Sequence, residues 1–342
     1  MKILILRFSA IGDIVLTSPV IRCLVAQKHA EIHFATKSGF AAIPIHHPDV
    51  QKVFALGETP ENIPEKARYA NSMSGLLAQL KTVRYDYIID LHHNLRTWRI
   101  KTALGIPAFS FDKLNIEKWL VVNTGINRLP DRHIVHRYMD TLKPLGVNYD
   151  GKGLDFYLPG QTSAVVDTYI EQHCPALKTV PFIALVMGAT HFTKRLPVES
   201  IIKLCQKIDK PVVLLGGKSE SEAGNFVTSA CGQKVFNLCG SLSLFESAEI
   251  VRRSQLVITH DTGLMHIAAA FQKRIIAVWG NTIPGFGMYP FYPDGKEKFT
   301  SAEVTGLACR PCSKIGFPQC PKGHFNCMKN MDLEKIVAET LR

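Results

Sequence analysis

The chain has 342 residues, 46% hydrophobic and 20% charged, which excludes a disordered protein and favours two domains over one. Its formal net charge of +11 is spread over both halves, with 20 Lys/Arg against 14 Asp/Glu in residues 1–155 and 20 against 15 beyond. That distribution is unlike a basic nucleic-acid-binding tail, and no zinc-finger or RNA-binding pattern accompanies it, so no nucleic-acid partner is expected.

Residues 2–7 form an apolar run that stops at Arg7, too early for a signal peptide, and no run reaches the roughly 20 residues that span a bilayer. A cytoplasmic protein with mostly reduced thiols is therefore expected. After that first strand the pattern predicts strands at 31–35, 50–55, 87–91 and near Ala108, with helices at 14–27, 72–83, 95–104, 116–123 and 133–145. Such a βα alternation favours a mostly parallel sheet covered on both faces. The glycine-rich stretch 146–153 and the Pro159-Gly160 pair mark an interdomain crossing near residues 150–175. The rhythm then repeats, with strands at 182–187, 211–215, 235–238, 256–259 and 275–279. Helices are expected at 163–173, 198–208, 220–230, 243–253 and 264–271. A long irregular region is expected after Trp279, through Cys327, and a final helix over 331–341.

Chemistry in such folds gathers beyond the C-terminal ends of the strands. The first strand end lacks both the G-x-G-x-x-G and the G-x-x-x-x-G-K-[ST] loops, but offers Asp13 at the start of a helix. Asp13 is either a helix cap or a carboxylate able to take a proton from a substrate hydroxyl. In the second half, Gly188, Thr190, Lys194 and Arg195 precede Pro197 at a helix start, and Asp261, Thr262, Gly263 and His266 stand where a buried strand feeds a helix. The first amides of that helix have no internal partners, and with Lys194 they make a plausible diphosphate cradle. His92, Arg96, Arg99 and Lys101 form a basic stretch that either meets acceptor phosphates or is a solvated face with Trp98 packed inward.

Cys309, Cys312, Cys320 and Cys327, with His324 between the last two, leave three readings open. These are a structural zinc, reduced thiols, or a pair of disulfides; the zinc would staple the irregular region.

Together the stretches Arg7 to Thr17, Gly188 to Pro197 and His260 to His266, with the loops at 216–222 and 238–243, resemble the bacterial lipopolysaccharide heptosyltransferases of glycosyltransferase family 9. The resemblance covers essentially the whole chain. It implies a GT-B fold, two facing Rossmann-like α/β domains with an interdomain cleft. The acceptor domain would be 1–160 and the donor domain 161–330, with a final helix, 331–342, packing back on the first. It also implies inverting, metal-independent transfer of heptose from ADP-L-glycero-D-manno-heptose to a core hydroxyl of lipopolysaccharide. By that resemblance Asp13 is the general base and Lys194, Thr262, Gly263 and His266 hold the donor diphosphate, with Thr190 close by. Asp261 organises the loop, Glu222 binds the ribose and the backbone at Leu242 meets the adenine. A related enzyme using another nucleotide sugar, or a nucleotide-sugar epimerase or hydrolase, stands as the alternative. The expected partners are a nucleotide-sugar donor and a lipid-linked core oligosaccharide. A monomer in peripheral, electrostatic contact with the anionic cytoplasmic face of the inner membrane is expected.

Overall fold

A computed structural model describes all 342 residues. The chain divides into two compact units, Met1–Lys113 with Arg132–Tyr157, and Leu114–Asp131 with Leu158–Arg342. Residues 114–131, which lie early in the sequence, thus belong with the second unit.

The first unit is built on a six-stranded parallel sheet of β1 (Lys2–Leu6), β2 (Glu31–Lys37), β3 (Val50–Leu56), β4 (Ala67–Ala70), β5 (Tyr87–Asp90) and β6 (Ala108–Ser110). Its order is β4-β3-β2-β1-β5-β6, so the apolar run 3–6 is central and fully buried, as a strand covered on both faces must be. Leu4, Leu6 and Phe8 pack with Leu76, Leu80, Ile88 and Ile100 from the helices and strand around them. β4 was not expected: its Ala-Arg-Tyr-Ala sequence has no apolar run, because an edge strand can leave Arg68 in solvent. The helix expected over 14–27 is divided into Ile11–Val15 and Ser18–Lys28. Pro19 has no amide to donate to the preceding turn, so it starts a new helix instead of continuing the old one.

The second sheet repeats the plan with β7 (Ile183–Val186), β8 (Val212–Leu215), β9 (Val235–Asn237), β10 (Leu256–His260), β11 (Arg274–Trp279) and β12 (Phe299–Glu303), in the order β12-β11-β10-β7-β8-β9 and all parallel. β12 lies inside the region expected to be irregular; it too is a polar edge strand. The closing helix, Leu333–Thr340, packs within the second unit. Ile336 joins the core beside Ile201 and Leu204, and Glu339 pairs with Arg274 at 3.1 Å. No helix is long and apolar enough to cross a membrane.

Candidate active site

In the first unit the C-terminal end of β1 carries Arg7, which is buried against four groups. Its Nε donates to Ser9 O at 2.8 Å, one Nη donates to Leu91 O and to Tyr138 Oη at 2.9 Å, and the other pairs with Asp13 Oδ1 at 2.7 Å. Burial pulls the guanidinium pKa down, but Asp13, Tyr138 and Asp90 more than offset this, holding it above the ordinary value. Asp13 sits at the third position of the helix Ile11–Val15, where its Oδ2 accepts the Ala10 amide at 3.1 Å. The carboxylate therefore caps the helix and is aimed by Arg7, while about a fifth of its side chain still meets solvent. The capping and chemical readings are thus compatible.

At the neighbouring strand end, Asp90 of β5 is fully buried. Its Oδ1 accepts the amides of His92 and His93 at 3.1 and 2.7 Å, and its Oδ2 pairs with Lys101 at 2.8 Å. Burial would raise the Asp90 pKa, but Lys101 and the His93 amide hold it below the usual carboxylate range. Lys101 is thereby committed to the turn that presents His92. Burial, reinforced by Arg7 and Lys113, pushes His92 down to about 4, so its ring is neutral at pH 7. Arg96 stands over the Phe8 ring at 5.1 Å, and Arg99 is exposed on the same helix, Leu95–Leu104. Trp98 does not pack inward; Thr97 and Ile100 face the core and the indole is exposed.

In the second unit Lys194 ends a short 3-10 turn, Phe192–Lys194, after β7. Its Nζ has one partner, Asp261 Oδ2 at 2.6 Å, and Thr282 Oγ1 donates to the same oxygen at 3.1 Å. Thr262 precedes the helix Gly263–Ala270 in extended conformation without capping it through its side chain, leaving the first amides of the helix unmet from that direction. His266 is buried within the first turn. The arrangement sets a cation beside a helix N-terminus, a pairing suited to a diphosphate.

The loop bearing Lys194 is held by His260, Arg195 and Glu220. His260 Nε2 accepts the Leu196 amide at 2.9 Å, and burial together with Arg195 pushes this imidazole down to about 4. Arg195 donates to Ala189 O at 2.8 Å and pairs with Glu220 Oε1 at 2.8 Å. Glu220 also accepts the Gly217 amide at 2.9 Å, and a Cβ on Gly188 would stand 2.9 Å from its Oε2. Thr190 and Glu222 are exposed, and Leu242 is half-buried beyond β9. The 216–222 and 238–243 loops are tied by the Gly240 amide donating to Gly216 O at 3.0 Å. Asn281, at the end of β11, is almost fully buried, and neither polar atom of its side chain has a partner. A polar side chain placed so is set to meet a ligand or water. Its signal in the sequence was an Asn-Thr pair just beyond the apolar run 275–279.

Of the three readings left open for Cys309, Cys312, Cys320 and Cys327, the structural zinc is not supported. All nine cysteines are free thiols, and no group of three or more His, Cys, Asp or Glu side chains is arranged to hold a metal ion. Burial and neighbouring thiols push Cys312 upward and Cys327 to about 11, which favours the protonated forms. The region is instead stapled by Arg310, whose guanidinium donates to Val304 O at 2.8 Å, Gly280 O at 2.5 Å and Thr282 O at 3.0 Å and pairs with Glu303 at 2.8 Å. Thr193 and Phe317 add a reciprocal clamp: Thr193 N donates to Phe317 O at 3.2 Å and Phe317 N to Thr193 Oγ1 at 2.8 Å.

The sequence model of glycosyltransferase family 9 (heptosyltransferase) matches residues 73–312. The chain belongs to this family. It is 25% identical to lipopolysaccharide heptosyltransferase 1 of Pseudomonas aeruginosa, over 92% of this chain and 86% of the relative. Its fold is that of a family 9 glycosyltransferase structure from Veillonella parvula, with TM-score 0.76 and 20% identity over 99% of this chain and 96% of that one. The Escherichia coli ADP-heptose lps heptosyltransferase II structure is also similar, with TM-score 0.68 and 19% identity over 100% and 98% of the two chains. The expected GT-B class of two Rossmann-like α/β domains is therefore the fold observed.

Proposed function

We propose that the protein is an inverting glycosyltransferase that moves heptose from an ADP-heptose donor to a hydroxyl of a lipopolysaccharide core. The observation that carries this reading is the pair of strand-end sites in a family 9 chain: an aimed carboxylate, Asp13, and a releasable cation, Lys194, beside a helix N-terminus. Asp13 accepts the proton of the attacking hydroxyl as the new glycosidic bond forms and the bond to the diphosphate breaks. Negative charge grows on the departing diphosphate, where Lys194 and the amides at Thr262 and Gly263 stabilise it without a metal. For Lys194 to do this it must exchange Asp261 for phosphate oxygen, leaving Asp261 held by Thr282. His266 and Thr190 contribute to the diphosphate side, Glu222 to the ribose, Leu242 to the adenine, and His92, Arg96 and Arg99 to the acceptor.

The enzyme on this reading is a monomer that works at the cytoplasmic face of the inner membrane, drawn there by its net charge of +11. A panel of ADP-, GDP-, UDP- and dTDP-sugars, each with and without a core acceptor and with a chelator throughout, tests the proposal. Turnover with ADP-heptose that depends on acceptor and persists in chelator is the expected result. Turnover of donor alone at a catalytic rate would instead indicate an epimerase or hydrolase, and preference for another nucleotide would reassign the donor.

A further inference from the structure

One face of the second unit is apolar, exposed and basic, and none of the roles above uses it. The helix Asn115–Thr124 buries Val121 but turns Ile116 and Trp119 outward, at 73% and 58% exposure, and Ile126 follows at 50%. Across a groove of about 590 Å³ stands the loop of Ser313, Lys314 and Phe317, with Ile315 beside it at 56% exposure. Single exposed apolar side chains are ordinary on a soluble protein; Ile116 and Trp119 lining one apolar groove, with exposed Ile315 in the loop that faces them, are not.

The charge around this patch selects its partner. Between Glu303 and Asp332 the sequence holds no acidic residue, and Lys314, Lys322 and Lys329 of that stretch are exposed. On the helix, Lys118 lines the groove beside Trp119, and Lys314 Nζ reaches Asn115 Oδ1 at 3.4 Å across it. An indole and branched aliphatics flanked by ammonium groups match the boundary of a bilayer, where apolar tips enter the acyl region and lysines meet headgroup phosphates. A protein partner would equally cover the apolar tips, but the net charge is basic, with Glu117 the acidic residue of the helix and none between Glu303 and Asp332, and this favours an anionic surface.

We infer that the face formed by Ile116, Trp119 and Ile315 with Lys118 and Lys314 is a shallow docking surface for an anionic phospholipid bilayer. This rests on the peripheral location proposed above and deepens it by naming the surface and adding an apolar component to what charge alone would supply.

Co-sedimentation with vesicles of phosphatidylethanolamine and phosphatidylglycerol tests it, with phosphatidylcholine vesicles as the neutral control. The full-length protein should partition to the anionic vesicles, and Ile116→Ser with Trp119→Ser should weaken this about tenfold. Both side chains are exposed, so the double variant should keep the thermal midpoint of the parent. In a Trp98→Phe background, Trp119 is the remaining exposed indole, and brominated lipid should quench it. If the parent binds anionic vesicles and the double variant binds equally well, the surface is wrong while peripheral association stands. If the parent itself does not bind, both fail. Concentration-dependent self-association abolished by the same two substitutions would overturn the lipid assignment in favour of a second copy.

Discussion

The two strand-end ion pairs look alike in distance and differ in which partner is fixed. In the first unit the cation is scaffold: Arg7 is buried and bonded to Ser9, Leu91 and Tyr138 before it meets Asp13 at 2.7 Å. In the second the cation is the loosely held member, since Lys194 Nζ bonds to Asp261 alone, at 2.6 Å, while Asp261 has Thr282 in reserve. The same chemistry thus serves opposite ends. On the proposed function, an immobile cation aims an acid whose proton affinity matters, and a supported acid parks a cation that must let go.

That contrast can be broken most directly at the chemistry. Asp13→Asn preserves an acceptor for the Ala10 amide but removes the base, so kcat should fall by about 10²- to 10⁴-fold. Donor affinity, measured by calorimetry, should be little changed; a parallel loss of donor binding would move Asp13 to the donor side. Lys194→Ala should lower kcat/KM by about 10²- to 10³-fold and weaken ADP binding as well. Unaltered ADP affinity would show that Lys194 remains with Asp261 during turnover.

Stability should report the reverse order. Arg7→Met strips a buried cation from its carbonyl, hydroxyl and carboxylate partners, so denaturant unfolding should show a loss of about 3–5 kcal/mol. Lys194→Ala, breaking a single bond, should cost at most about 1.5 kcal/mol. Equal losses would erase the distinction between scaffold and functional cation.

A further test concerns pH. His260 is neutral in the fold with a pKa near 4, against about 6.5 in an unfolded chain. Between these values the unfolded state binds a proton that the folded state refuses, so this stabilisation is complete above about pH 6.5 and is lost as pH falls toward 4. From pH 7 to pH 5 the loss should be up to about 2 kcal/mol, and His260→Gln, which can still accept the Leu196 amide, should flatten that part of the thermal profile. A profile unchanged by the substitution would assign the acid limb elsewhere, with His92 the next group to test.

Much of this was legible in the sequence where burial leaves a pattern. The runs at 3–6 and 256–260 announce central strands because parallel sheets hide both faces, whereas the break at Pro19 was passed over in expecting one helix over 14–27. β4 and β12 were not, since edge strands need no apolar run. Asp13 and Lys194 stood out as charges at strand ends, but Arg7 did not, because an arginine after a strand reads alike whether solvated or buried. Glu220 and His260 act through three-dimensional neighbours that no spacing encodes. The Cys309 and Cys312 spacing suggested a metal staple, whereas the loop is fastened by Arg310, one residue inside the same motif.

The clamp between Thr193 and Phe317 has a thermodynamic corollary. It splices the residue before Lys194 to the loop two positions after Ile315, with bonds of 3.2 and 2.8 Å. If the proposed donor and lipid sites hold, the two are ligands of adjoining stretches of one backbone, and their binding free energies are subject to linkage. Any factor by which a bilayer tightens the grip on diphosphate must reappear, unchanged, as the factor by which diphosphate tightens the grip on the bilayer. ADP added to vesicle-bound protein therefore measures the coupling as directly as vesicles added to ADP-bound protein, and the two titrations must close the same cycle.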